Sequence, residues 1–186
     1  WELYQEEEFN LRTIYLGGGT PSSVEPELYE RFFKKLFSQR GIEEITVECN
    51  PENYKEEEFK KLRDLGINRV SIGVQSFTQK GLSVLGRRHS VEDSVESIRS
   101  AYKSGIENIN VDLIYGYPGQ DLEDLKEELR HIEDLPIRHV SCYILTPYED
   151  TLFGKLVEEK KLELPSGDII GEMYHFLVEG LKGMGF

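Results

Sequence analysis

Three consecutive glycines, Gly17-Gly18-Gly19, end the apolar, β-prone segment Thr13–Leu16 and run into Thr20-Pro21-Ser22-Ser23. One glycine suffices for a turn, and three raise the entropy cost of folding, so the run implies a bare, closely approachable backbone. Neither phosphate fingerprint fits: G-x-x-x-x-G-K-[ST] is missing, and G-x-G-x-x-G fails at Ser22. What remains is a set of backbone N–H and C=O groups beside the Thr20 hydroxyl. Such a surface suits the ammonium and carboxylate of an amino acid better than a triphosphate. Ser22 and Ser23 read as loose loop. Two carboxylates stand inside apolar runs, Glu48 after Ile45-Thr46-Val47 and Asp112 between Val111 and Leu113. A carboxylate there needs partners, either Arg69, Arg87 or backbone amides of the fold, or a ligand. Gln75 ends a third apolar segment and Thr146 follows a fifth.

Other chemistries find less support. Cys49 and Cys142 are far apart in sequence, and His89, His131, His139 and His175 show no metal-ligand spacing. The chain therefore offers no evident metal site, and each cysteine reads as a buried or pocket-edge thiol. A formal charge of −13 argues against a nucleic-acid partner. No apolar run reaches the roughly 18 residues of a membrane span and no signal peptide is evident, so a cytoplasmic protein is expected.

The elements that must position these residues repeat. Arg12–Leu16, Glu44–Cys49, Arg69–Val74, Asn108–Tyr115 and His139–Leu145 read as strands. They are rich in Val, Ile and Tyr and apolar nearly throughout, as parallel strands covered on both faces should be. Helical stripes lie between and after them: Leu28-Phe32-Phe33-Leu36, Phe59-Leu62-Leu65, Val91-Val95-Ile98-Tyr102, Leu122-Leu125-Leu129-Ile132 and Ile169-Met173-Phe176-Leu177-Leu181. Pro26 suits a first helical turn, and Ser90 an N-cap. Gly41-Ile42, Gly66-Ile67 and Gly105-Ile106 each read as a helix stop in which glycine turns left-handed and isoleucine packs back. The alternation predicts an α/β fold with a parallel sheet, either doubly wound or a barrel. Both ends look cut: Trp1–Glu8 reads as the tail of a helix, Gly185-Phe186 as a helix stop with no strand after it, and a complete eightfold barrel needs about 250 residues. In either fold the strands' C-terminal ends carry the site, which is where Gly17–Thr20, Glu48, Gln75, Asp112 and Thr146 fall.

The ordered set GGGTP, ExNP, GVQSF and DLIYGYPGQ resembles the oxygen-independent coproporphyrinogen III oxidase-like branch of the radical S-adenosylmethionine superfamily, along nearly the whole chain. The resemblance implies a partial (β/α)₆, TIM-like barrel holding a [4Fe–4S] cluster and S-adenosylmethionine, with residues 1–186 as the central portion of one domain. In that family the reduced cluster cleaves the sulfonium to a 5′-deoxyadenosyl radical. The CxxxCxxC loop that binds the cluster, with the first strand, would precede Trp1, and Cys49 and Cys142 do not fit it. Carried over by motif, Gly18, Gly19 and Thr20 would border the methionine moiety. Glu48, Gln75, Arg87, Asp112 and Thr146 match positions around the same cofactor.

Within the branch, the oxidase decarboxylates two propionates of coproporphyrinogen III, whereas the haem chaperone binds haem and passes it to respiratory proteins. LGRRH in place of VNRE-like residues, GVQSF in place of GVQDF, and SCYILTPYEDTLFGKL resemble the chaperone. The family's haem-associated HNxxYW stretch would fall beyond Phe186. The rival readings are a barrel hydrolase or lyase using Glu48 and Asp112 as an acid–base or metal-binding pair, and a barrel mouth that only binds.

Overall fold

The computed structural model describes residues 11–36, 41–149 and 151–186; the expected helical tail at Trp1–Glu8 lies outside them. Strands β1 (Thr13–Leu16), β2 (Glu44–Cys49), β3 (Arg69–Gln75), β4 (Asn108–Tyr115) and β5 (His139–Ile144) form one sheet in the order β1-β2-β3-β4-β5. Every pairing is parallel. That order decides between the two architectures. A doubly wound sheet reverses its order at a switch point. Here each strand pairs with the next, so right-handed crossovers put the connecting helices on one face. These are α1 (Pro26–Leu36), α2 (Glu56–Asp64), α4 (Val91–Lys103) and α5 (Leu122–Glu133), with the short α3 (Gln79–Val84) inserted before α4. Helices α6 (Leu152–Glu158) and α7 (Gly167–Gly183) follow β5. No pairing joins β1 to β5 among the described residues, so the sheet is an open arc of a barrel. Among those residues no helix is long and apolar enough to cross a membrane.

Register partners in a parallel sheet share a face. Glu48 pairs with Ser71, Ser71 with Asn110, and Asp112 with Ser141, so the concave face is polar. The opposite face carries Ile45, Val47, Val70, Ile72, Ile109 and Val111, all buried in one core with Phe33, Phe59, Leu62, Ile98, Leu125 and Met173 of the helices. The concave face is thus mainly polar, with Tyr15, Ile114 and Tyr143 as its apolar contributors, which corrects the expectation of apolar cover on both faces. The alternation is visible in Glu44-Ile45-Thr46-Val47-Glu48-Cys49 once the fold assigns the faces.

Two of the three Gly-Ile helix stops form as read; the helix end before Gly41-Ile42 falls on residues 37–40, outside the described residues. Gly66 and Gly105 adopt φ of 92° and 95°, where a side chain would be strained. Ile67 N–H then donates to the Leu62 carbonyl at 3.1 Å and Ile106 N–H to that of Ala101 at 3.2 Å. The helical stripes need trimming, since Leu28, Tyr102, Leu122 and Ile169 are exposed. Instead α4 buries Ile98 together with the small residues Ser94, Ser97, Ser100 and Ala101, which let it lie close to β3 and β4. The Phe32 and Leu36 side chains lie outside the described residues. Ser90 caps α4 in a reciprocal box: Asp93 N–H donates to Ser90 Oγ at 3.1 Å and Ser90 N–H to Asp93 Oδ2 at 2.8 Å. Ser90→Ala should lower the urea-melt unfolding free energy by about 1 kcal/mol. An unchanged midpoint would mean that α4 does not depend on its cap.

Candidate functional site

The C-terminal strand ends surround a cavity of about 370 Å³, a size common for small-molecule sites. Gly19, Thr20, Glu48, Gln75, Arg87 and Asp112 all line it. Gly18 is tied to the wall through Glu48. Thr146 is exposed and outside the wall, with its hydroxyl donating to the Ile144 carbonyl at 3.3 Å.

The glycines divide by role. A Cβ on Gly17 would lie 2.8 Å from the Tyr15 ring and 3.0 Å from the Glu48 carboxyl carbon, so close packing explains this glycine. Gly18 and Gly19 adopt φ of 84° and 64° and face open space. Positive φ explains them, and it leaves their backbone bare. Glu48 holds the loop, accepting from Tyr15 Oη at 2.8 Å and from Gly18 N–H at 3.1 Å. Desolvation, reinforced by Glu48, pushes the Tyr15 hydroxyl up to about 12. Ser22 is no loose loop: it is buried, accepts from Asn50 N–H at 2.9 Å and donates to Asn53 Oδ1 at 3.1 Å. The 3-10 turn Pro21–Ser23 is thereby bolted to the end of β2.

Asp112 is held from inside the barrel. Ser71 Oγ donates to its Oδ2 at 3.0 Å and Asn110 Nδ2 to its Oδ1 at 2.9 Å. Asn110 Nδ2 also donates to Ser71 Oγ at 2.6 Å, and Asn110 Oδ1 meets His139 Nδ1 and accepts from Ser141 Oγ at 3.2 Å. Neither carboxylate uses an arginine. Each keeps lone pairs for a ligand, because a carboxylate offers about four acceptor positions.

A bulge sets Gln75. The β3–β4 register shifts between Ile72 and Gln75, and Gln75 stands at φ 68°, a conformation that costs a non-glycine residue about 1–2 kcal/mol. A Cβ on Gly73 would lie 2.8 Å from Gln75 Nε2, so the carboxamide folds back along the cavity wall. It makes no hydrogen bond with the described residues, and neither does the Arg87 side chain. Desolvation lowers the Arg87 guanidinium from its ordinary value. Arg87 keeps more than a third of its surface exposed, and it stays charged.

Sequence reasoning missed Tyr15, Ser71, Asn110 and Glu128. For the strand residues the available signal was polar alternation; for Glu128 it was a carboxylate set between Leu125 and Leu129 on an apolar stripe. Glu128 is 3% exposed, accepts from Ser76 Oγ, and accepts from Phe77 N–H at 2.5 Å. Burial pushes its carboxyl up to about 7 against the pull of those two donors.

Among the described residues no group of three or more His, Cys, Asp or Glu side chains could hold a metal ion. Cys49 is buried and Cys142 half-buried, and desolvation raises both thiols, Cys142 to about 11. The described residues therefore do not fit a [4Fe–4S] cluster.

Comparison with known proteins gives a consistent picture. The family model of the Radical SAM superfamily matches residues 2–164. The haem chaperone HemW of Lactococcus lactis is 37% identical over 179 residues, covering 95% of this chain and 47% of that protein. HemW of Bacillus subtilis is 34% identical over 180 residues, covering 95% and 48%. The chain thus spans about half the length of these curated relatives. Among solved structures, coproporphyrinogen III oxidase (HemN) from Escherichia coli, a radical SAM enzyme, aligns with a TM-score of 0.73 at 28% identity. That alignment covers 90% of this chain and 40% of the oxidase.

Proposed function

The chain belongs to the radical SAM superfamily, in its coproporphyrinogen-oxidase-like family, and from that premise we propose that its cavity binds S-adenosylmethionine and that the whole protein is a cytoplasmic haem chaperone supplying respiratory proteins. Residues 1–186 would form the central part of one barrel domain, with a [4Fe–4S] cluster held by residues other than those described. The observation that carries the binding site is the meeting of Glu48, Gln75, Arg87 and Asp112 around one cavity.

The residues fit the cofactor by chemistry. Arg87, whose side chain bonds to none of the described residues, suits the methionine carboxylate. Glu48 and Asp112 retain acceptor positions suited to an ammonium or to ribose hydroxyls, and both are already oriented by the fold. Gly18 and Gly19 leave room for the methionine end beside Thr20. When bound, S-adenosylmethionine supplies a sulfonium open to one-electron cleavage. The protein's own work is to hold its two ends and narrow the access of water.

The HemW relatives favour haem as cargo. Titrating haem into the whole protein, with its cluster reconstituted without oxygen, should give a saturable Soret change and leave coproporphyrinogen III intact. Consumption of coproporphyrinogen III without haem affinity would make the protein an oxygen-independent coproporphyrinogen III oxidase instead. Similarity to the E. coli oxidase keeps that second reading in view.

A further inference from the structure

Gln75 sits between two pinned points. On one side the Val74 carbonyl bonds to His89 Nε2 at 3.0 Å. On the other, Ser76 and Phe77 are both fully buried and both attach to the Glu128 carboxylate on α5. Phe77 also stacks on His131, one turn along the same helix, with ring centroids 5.2 Å apart and planes 16° apart. Thr78 N–H donates back to Ser76 Oγ at 3.0 Å and completes the turn.

We propose that Glu128 is a positioning residue for the cavity: its carboxylate, reaching from α5, fixes the Ser76–Phe77 backbone and so holds Gln75 against the ligand. The inference rests on the S-adenosylmethionine reading of the cavity. Glu128 occupies a place where Leu125, Leu129 and Ile132 of the same helix are all buried, and burying a carboxylate there is costly. A leucine at that position would pack well, yet it would leave Phe77 N–H without its acceptor. The left-handed backbone of Gln75 needs support from outside, because its own side chain makes no bond to the described residues.

A double-mutant cycle on the whole, reconstituted protein tests this, reading the dissociation constant for S-adenosylmethionine by equilibrium dialysis. Glu128→Gln keeps an acceptor for Phe77 N–H and a donor for Ser76 Oγ, and should stay within about threefold of wild type. Glu128→Leu removes both and should weaken binding about tenfold; in a Gln75→Ala background the same change should cost less than about twofold. Should Glu128→Leu not fold, Ser76→Ala, which removes one of the two anchors, carries the same cycle with the same non-additivity. Equal losses in both backgrounds would overturn the positioning role and leave the cavity reading intact. A wild-type constant for Gln75→Ala alone would sink the cavity reading and this inference with it.

Discussion

Asp112→Ala should weaken S-adenosylmethionine binding by the whole protein by about 2–3 kcal/mol, roughly 30- to 150-fold in Kd, the worth of a hydrogen bond to a charged group. The size follows from preorganisation. Ser71 and Asn110 meet both Asp112 oxygens from below, so the carboxylate reaches the cavity without reordering when a ligand arrives. Removing it leaves Ser71 and Asn110 bonded to each other at 2.6 Å, so the fold should tolerate the loss. Asn110→Ala should act in the same direction with a smaller effect, because it frees one oxygen but retains the charge. Equilibrium dialysis reads both variants, with a thermal melt beside it. Wild-type affinity in Asp112→Ala would place the ligand elsewhere.

The second large effect concerns stability against pH. Burial raises the folded-state pKa of Glu128 from 4.5 to about 7. Between those values the folded chain holds a proton that the unfolded chain releases. This group's contribution to stability is therefore complete below the lower value, declines as pH rises between the two, and levels off above about 7. From pH 5 to pH 8 the loss is about 2–3 kcal/mol, at 1.36 kcal/mol per pKa unit. Ser76 and Phe77 N–H oppose the shift by donating to the ionised form, whereas Glu127 and Asp124 add to it. Asp124 is paired with Lys80 at 2.6 Å, which softens its influence. Glu128→Gln carries no charge at any pH, so its urea-melt stability should be flatter over this range by that amount. Parallel curves for the two proteins would show that Glu128 does not titrate there.

Much of the scaffold was readable because its signals are local. Strand limits agree within a residue, and the stops at Gly66-Ile67 and Gly105-Ile106 and the Ser90 cap form as read, since each depends on bonds among neighbours a few positions apart. The barrel reading came from the alternation of elements together with the motif resemblance, and the strand order agrees with it. Site candidates were legible as polar residues where apolar strands end. Six of the eight candidates, Gly19, Thr20, Glu48, Gln75, Arg87 and Asp112, line the cavity. Their partners were legible only in part. Of the arginines or backbone amides expected for Glu48 and Asp112, only one backbone amide, Gly18 N–H on Glu48, takes part; register supplies Tyr15, Ser71 and Asn110 as the others.

By itself, then, the sequence determined the order of elements, their caps and the strand ends where chemistry would gather. These follow from backbone propensity and short-range bonding. Only the tertiary structure decided which strand face is polar, that Ser22 is a buried tie, that Thr146 stands outside the cavity, and that Gln75 is turned by a bulge. Those outcomes depend on lateral register and on contacts such as Ser76 to Glu128, 52 positions apart. The triple glycine shows both levels at once. Its composition marked a bare backbone, but only the packed sheet assigned close contact to Gly17 and left-handed geometry to Gly18 and Gly19.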